Sequence, residues 1–175
     1  IVGTLNAKEI SVRAVTAEDA AELRSLASQC EPLDIHTPYT YWVLCTFFGE
    51  QCFIMYDGEV PIGFISSITS KATTFIWQIG LRLEYRGHGL SRRLIESVAN
   101  YAKVHAQRML VTIAAENEAS RNAFEHFCRS NGLVMSECGS MEIKDHIDPD
   151  FYEKEIEYEI KEPQKVKGRF EKCVT

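Results

Sequence analysis

The residues with the plainest chemical purpose are Arg86-Gly87-His88-Gly89-Leu90-Ser91. Ahead of them, residues 74–83 are rich in β-branched, aromatic and aliphatic side chains, which reads as a strand. Behind them, Leu90, Leu94, Ile95, Val98, Tyr101 and Ala102 fall at the spacing of an amphipathic helix. Two glycines at such a junction free the backbone to bring several N–H groups to one anion. The positive end of the helix dipole then favours that anion. The chemistry is that of a phosphate cradle. A P-loop would need Lys followed by Ser or Thr after its second glycine, and a dinucleotide fingerprint a third glycine with a later acidic ribose ligand; this segment has neither. Arg92 and Arg93 open the helix where cations oppose its dipole, a placement that makes sense if at least one reaches a phosphate. The plainer alternative is an ordinary strand-to-helix turn whose glycines serve packing.

The six residues match R/Q-x-x-G-x-G/A, the pyrophosphate loop of the GNAT acetyltransferases. Arg86 is first, Gly89 fourth, and Ser91 stands at the final small position, where Gly or Ala is usual. With a strand before, a long helix after and a further strand at residues 109–114, the chain resembles that family. The resemblance implies acetyl-CoA as cofactor. Arg86, Gly87, His88, Gly89, Leu90, Ser91 and Arg92 would hold its pyrophosphate, His88 through its backbone. The strand at residues 77–83 would pair with the pantetheine arm. In that fold this strand is bulged, and an amide near Ile79, Gly80 or Leu81 faces the thioester oxygen, a large catalytic effect. Asn117, Ser120 and Phe124 match the family's second CoA-contacting segment. Tyrosine is usual at Phe124 and often protonates the departing thiolate, so this chain must use another acid or none.

A closer resemblance lies in Leu33-Asp34-Ile35-His36-Thr37-Pro38-Tyr39-Thr40-Tyr41, Trp77-Gln78, the cradle, and Asn117-Glu118-Ala119-Ser120 ahead of Phe124. Together these look like the L-2,4-diaminobutyrate acetyltransferases of ectoine biosynthesis, from about residue 12 to 133. The resemblance implies acetylation of the γ-amine of diaminobutyrate by a homodimer. The motif is usually L-D-x-N-S-x-Y; His36 and Thr37 replace Asn and Ser, and Thr37 keeps a hydroxyl. The family's C-terminal H-x-x-E-x-L-Y-x-I is met by Glu155, Tyr158 and Ile160, with Tyr152 and Glu157 at the histidine and leucine positions.

An aliphatic amine has a pKa of about 10 and must lose a proton before it attacks, which a carboxylate or a water chain can accept. Glu155 and Asp34 are the candidate catalytic acids, and both are candidate ammonium ligands. Asp34 could equally be a plain loop acid, and Glu155 one of several glutamates on a solvated edge strand. Thr37, Tyr39, Trp77 and Gln78 complete the substrate candidates. Trp77 either packs in the core or lines the amine pocket. Gln78 faces away from it on a regular strand, although a bulge could re-aim it. Of Tyr39 and Tyr41 one should be packing, and Tyr39 is favoured for the pocket. His36 reads as a capping or surface residue, and His105 and His126 carry no motif.

The 175 residues suit one domain, with a GNAT domain expected over residues 1–160 and a charged, loose tail over 161–175. A net charge of −6 argues against nucleic acid and suits a cationic small substrate. Six cysteines (Cys30, Cys45, Cys52, Cys128, Cys138, Cys173) show no paired metal spacing. They read mostly as reduced core thiols of a cytoplasmic protein, with no metal expected. No apolar run has transmembrane length, no signal peptide is evident, and the missing initiator Met suggests a trimmed chain. Strands are expected at residues 9–15, 51–56, 60–69, 74–83, 109–114, 133–143 and 151–160, and helices at 17–28, 38–48, 90–102 and 118–131. That order is α/β, more strictly α+β: the GNAT fold, a mixed sheet splayed where acetyl-CoA enters, with helices on both faces. A CoA-binding sensor that no longer catalyses is the reading from a different class, and Phe124 is its best support.

Overall fold

A computed structural model describes residues 9–164. Seven strands form one mixed sheet in the order β1-β2-β3-β4-β5-β7-β6. β1 (Ile10–Ala14) leads to Thr16, whose backbone N–H donates to the Asp19 carboxylate at 2.7 Å. The first turn, Ala17–Asp19, is a 3₁₀ turn, and α1 proper spans Ala20–Ala27. In α2 (Pro38–Phe47) the Thr37 hydroxyl accepts from the Thr40 N–H at 3.2 Å, and Pro38 fills a position that needs no donor. Residues Gly49–Gln51, partly expected as strand, form another 3₁₀ turn, so β2 starts later, at Phe53–Asp57.

β2 and β3 (Val60–Ser70) form the hairpin that Asp57-Gly58 signalled, and β3 pairs antiparallel with β4 (Thr73–Leu81). β4 is two residues shorter than expected at its end, where the ladder with β3 runs out and Leu83–Tyr85 turns as 3₁₀. α3 (Leu90–Val104) returns the chain to β5 (Arg108–Ala114), parallel to β4. α4 (Glu118–Ser130) is capped by the Asn117 side chain, which accepts from the Ser120 N–H at 3.1 Å. β6 (Val134–Lys144) and β7 (Tyr152–Lys161) close the sheet as a hairpin. β7 runs one residue into the expected tail; residues 165–175, and with them Cys173, lie outside the described residues.

Two apolar layers sandwich the sheet. On one face Leu94, Ile95 and Val98 of α3 and Phe124 and Phe127 of α4 pack on Ile65, Ile76, Val111 and Ile113. On the other, Leu23 and Leu26 of α1 and Tyr41 and Leu44 of α2 cover Ile54 and Phe64. No helix among the described residues is long and apolar enough to cross a membrane. Burial pushes the thiols of Cys30, Cys45 and Cys128 up to about 11 and that of Cys52 up to about 12, so these four are packing groups; Cys138 is exposed.

Gly80 is where β4 meets the second layer most closely. A Cβ there would lie 2.8 Å from the Phe64 ring and 2.9 Å from the Cys30 Cβ, and both neighbours are buried. Gly80→Ala is therefore expected to lower stability by about 1–3 kcal/mol, read as a reduced urea midpoint. At the other end of α1, Arg13 donates to both Asp19 oxygens, at 2.7 and 2.9 Å, and holds that carboxyl down to about 2. The folded value lies below the unfolded one, so this pair stabilises above about pH 4 and its contribution is lost as pH falls toward 2. Asp19→Asn should destabilise by about 1 kcal/mol at neutral pH, solvent screening included, and converge with the parent in acid-unfolding curves near pH 2.

Candidate active site

Past Ile76, β4 loses its neighbour. Its parallel pairing with β5 covers only Thr73 to Ile76 against Arg108 to Val111, and beyond that the strands part. The β4 edge from Trp77 to Leu81 faces the resulting gap with no strand partner on that side among the described residues. Immediately below lies the cradle. Gly87 and Gly89 have φ of +79° and +72°, backbone that glycine adopts without strain, and a Cβ on either would meet nothing within 4 Å. Packing does not require these glycines; the bend does, and it leaves the amides uncovered. No side chain among the described residues caps the α3 N-terminus. A cavity of about 440 Å³ opens there, lined by Gly87, Gly89, Ser91, Arg92, His126 and Arg129 among others. These residues fit a pyrophosphate: free helix amides, with Arg92 and Arg129 in no ion pair among the described residues.

The two arginines that open α3 divide their roles. Arg93 reaches back to the Ile10 carbonyl at 3.1 Å, while Arg92 is exposed beside the cavity. The Arg86 guanidinium is tied to backbone, at the Leu81 carbonyl (3.0 Å) and the Glu31 carbonyl, so it braces the loop. His88 is exposed. Leu81 and Leu90 are buried where they meet the cavity, and Ile79 packs into the core. On α4, Ala119, Asn122, Ala123, His126 and Arg129 line it. Asn117 and Ser120 are instead engaged in the helix cap, and Phe124 is buried in the core. His126 and Arg129 carried no sequence motif; His126 lies three residues from Ala123 and Arg129 seven from Asn122, which places both on the lining face.

A bulge organises the upper part of the gap. Ser66 pairs with Gln78 and Ser67 with Ile76, which leaves Trp77 as the extra residue. Without it Gln78 would share the face of Ile76; with it, Gln78 turns toward α2. There the Tyr41 hydroxyl donates to Gln78 Oε1 at 3.3 Å, and Gln78 Nε2 donates to the Asp34 carbonyl at 2.8 Å. The loop before α2 is thereby pinned over the bulge. His36 lies 5.2 Å from Trp77 and 6.1 Å from Tyr41 between ring centres. Burial raises the Tyr41 phenol above its ordinary range. Tyr39, the tyrosine favoured from sequence, is 71% exposed and stacks on Trp42, whereas Tyr41 is fully buried. The signal for Tyr41 was its inward spacing with Leu44 and Cys45. Thr37 is occupied as the α2 cap.

Glu155 pairs with Ala114, the last residue of β5, at the mouth of the gap. Its neighbour Ile156 opposes core residue Ile113, so Glu155, Glu157 and Glu159 stand on the α1 and α2 face, the face of Gln78. Glu159 is held below the usual carboxylate range by hydrogen bonds from Arg108 and Lys161, and Glu157 accepts from the Cys138 thiol. Glu155, half-buried, has no ion pair among the described residues.

The sequence of residues 20–128 matches the Acetyltransferase (GNAT) family. This chain belongs to that family. As a GNAT acetyltransferase it is an acyl-transferring enzyme and takes acetyl-CoA as donor. The enzyme is 29% identical over 151 residues to an L-2,4-diaminobutyric acid acetyltransferase of Marinococcus halophilus, covering 83% of this chain and 86% of that one. To the protein of the same name from Shouchella clausii it is 31% identical, over 73% and 75%. A solved Paenibacillus lautus diaminobutyrate acetyltransferase, in complex with L-2,4-diaminobutyric acid and coenzyme A, matches with a TM-score of 0.75 at 24% identity, over 87% of this chain and 95% of that one. At that identity the likeness speaks for the fold.

Gly89→Val forces a β-branched residue into left-handed backbone and buries amides of the cradle. Calorimetry should show coenzyme A affinity reduced at least about tenfold, with the far-ultraviolet dichroism of the fold retained.

Proposed function

We propose that this GNAT enzyme acetylates the γ-amine of L-2,4-diaminobutyrate, a step of ectoine biosynthesis, by direct transfer within a ternary complex. What carries the reading is a convergence: the Asp34–His36 loop is pinned over the Trp77 bulge, on the face of the sheet where Glu155 stands unpaired, at the point where β4 and β5 part. The names of the relatives support the choice of amine. Bound acetyl-CoA supplies the acetyl group as an activated thioester.

The protein's own part divides among three groups. Amides of the Gly87 and Gly89 loop and the α3 N-terminus grip the pyrophosphate, with Arg92 and Arg129 adding countercharge. The free β4 edge offers backbone donors, from Ile79 to Leu81, to the pantetheine arm and to the charge that develops on the carbonyl oxygen. Asp34 and Trp77 hold a substrate ammonium, Gln78 fixes the loop, and Glu155 takes the proton from the amine. Thiols raised to about 11 or 12 by burial make poor nucleophiles, which favours direct attack over an acyl-enzyme. The unpaired buried thiols also suit a reducing, cytoplasmic setting, and the same reading takes the enzyme as a homodimer.

Following free thiol with acetyl-CoA and a panel of diamines tests this directly. Diaminobutyrate should be the preferred acceptor. Release with ornithine or lysine and none with diaminobutyrate would move the substrate assignment, and no release with any amine would favour a CoA-binding sensor. Glu155→Gln should lower kcat by roughly a hundredfold or more while coenzyme A affinity stays within about twofold.

A further inference from the structure

We infer that His36 selects the substrate: its Nε2 accepts a hydrogen bond from the cationic amino group of a diamino acid held against Trp77. The inference rests on the acetyltransferase reading above and deepens it. His36 Nε2 is buried and has no hydrogen-bond partner among the described residues. An unpaired buried acceptor costs stability, and such a group calls for a partner from outside the chain.

Three polar neighbours among the described residues are committed elsewhere. Tyr41 is committed to Gln78 Oε1, and Gln78 Nε2 to the Asp34 carbonyl. Arg24, from α1, donates its Nε–H to the His36 carbonyl at 3.2 Å, which fixes the loop and turns that cation to the backbone. The imidazole is also held in place by Trp77 and Tyr41. A second atom of the same kind sits close by in the fold: Ser66 is directly opposite Gln78 on β3 and β4, and its Oγ is buried and unpartnered among the described residues. Ser66 Oγ opposite Gln78 and His36 Nε2 against Trp77 thus flank the bulge, each without a partner among the described residues.

The ligand's sign follows from the groups that the loop and the bulge carry. Trp77, 41% exposed, offers an aromatic face that attracts cations. Asp34, on the same loop, is exposed and forms no ion pair among the described residues. A carboxylate or phosphate would meet both unfavourably, whereas an ammonium satisfies the aromatic face, the acid and the imidazole lone pair at once. An imidazole that carries its proton on Nδ1 offers one directional acceptor, at Nε2, so it discriminates by where the ammonium sits along the substrate.

Steady-state kinetics on three variants separate this role from packing. His36→Phe keeps a ring between Trp77 and Tyr41 but removes the acceptor; His36→Gln places an amide oxygen near the Nε2 position; His36→Asn does not reach it. Expected for His36→Phe is a rise in KM for the amine of roughly ten- to a hundredfold, with KM for acetyl-CoA held and the melting temperature unchanged or raised. His36→Gln should recover most of the loss and His36→Asn little. Relative rates on diaminobutyrate, ornithine and lysine should level out in His36→Phe. An unchanged amine KM in a folded His36→Phe protein overturns the inference, as does a loss that falls on acetyl-CoA instead. If the parent enzyme itself releases no thiol with any diamino acid, the acetyltransferase reading fails first and this inference with it.

Discussion

The structure turns on a broken pairing. β4 and β5 share only four residue pairs before they separate, and everything chemically distinctive about the molecule lies at or beside that separation. A continuous parallel ladder would satisfy the β4 edge with backbone from β5. Ending it at Ile76 leaves an edge open where an extended, amide-bearing ligand can add as a pseudo-strand, with the helix dipole of α3 just beneath. The separation is affordable because each strand keeps its other neighbour: β3 holds β4 throughout, and β7 holds β5 to its last residue. Two cores, one on each face, grip the halves independently.

One inserted residue then links cofactor edge and substrate loop. By opposing a single β3 step with two β4 residues, the bulge at Trp77 reverses the facing of Gln78 and sends it to Tyr41 and the Asp34 carbonyl. The loop ahead of α2 has little regular hydrogen bonding of its own, so its placement depends on these side-chain contacts and on Arg24. The order is hierarchical: sheet register aims a glutamine, the glutamine places a loop, and the loop presents an acid and an imidazole.

Much of this could be read from the chain itself. The glycine bend and the Thr37-Pro38 helix start are local signals, set by backbone geometry and short-range hydrogen bonds, and the structure has both where expected; Asn117, expected at the cofactor, caps α4 instead. The α4 side of the cavity was not legible, because Ala119, Asn122, His126 and Arg129 come together only through packing against α3. Nor did residue type settle which of Tyr39 and Tyr41 is the packing one; Tyr41 is, because its side of α2 meets the sheet. The face of Glu155 depends on its register with β5, which alternating glutamates along β7 do not reveal. His36 carried least signal, since a histidine ahead of a helix is ordinarily a surface residue, and only its buried, unpartnered nitrogen sets it apart.

The chain has two tryptophans, and the fold sends them to different places. Trp42 sits on the outer side of α2 between Tyr39 and Phe47, while Trp77 is the bulge residue against His36. Replacing Trp42 with phenylalanine would leave a lone indole fluorophore beside the imidazole. Its emission would report the arrival of the amine in real time, apart from any turnover, so the molecule already carries its own optical probe.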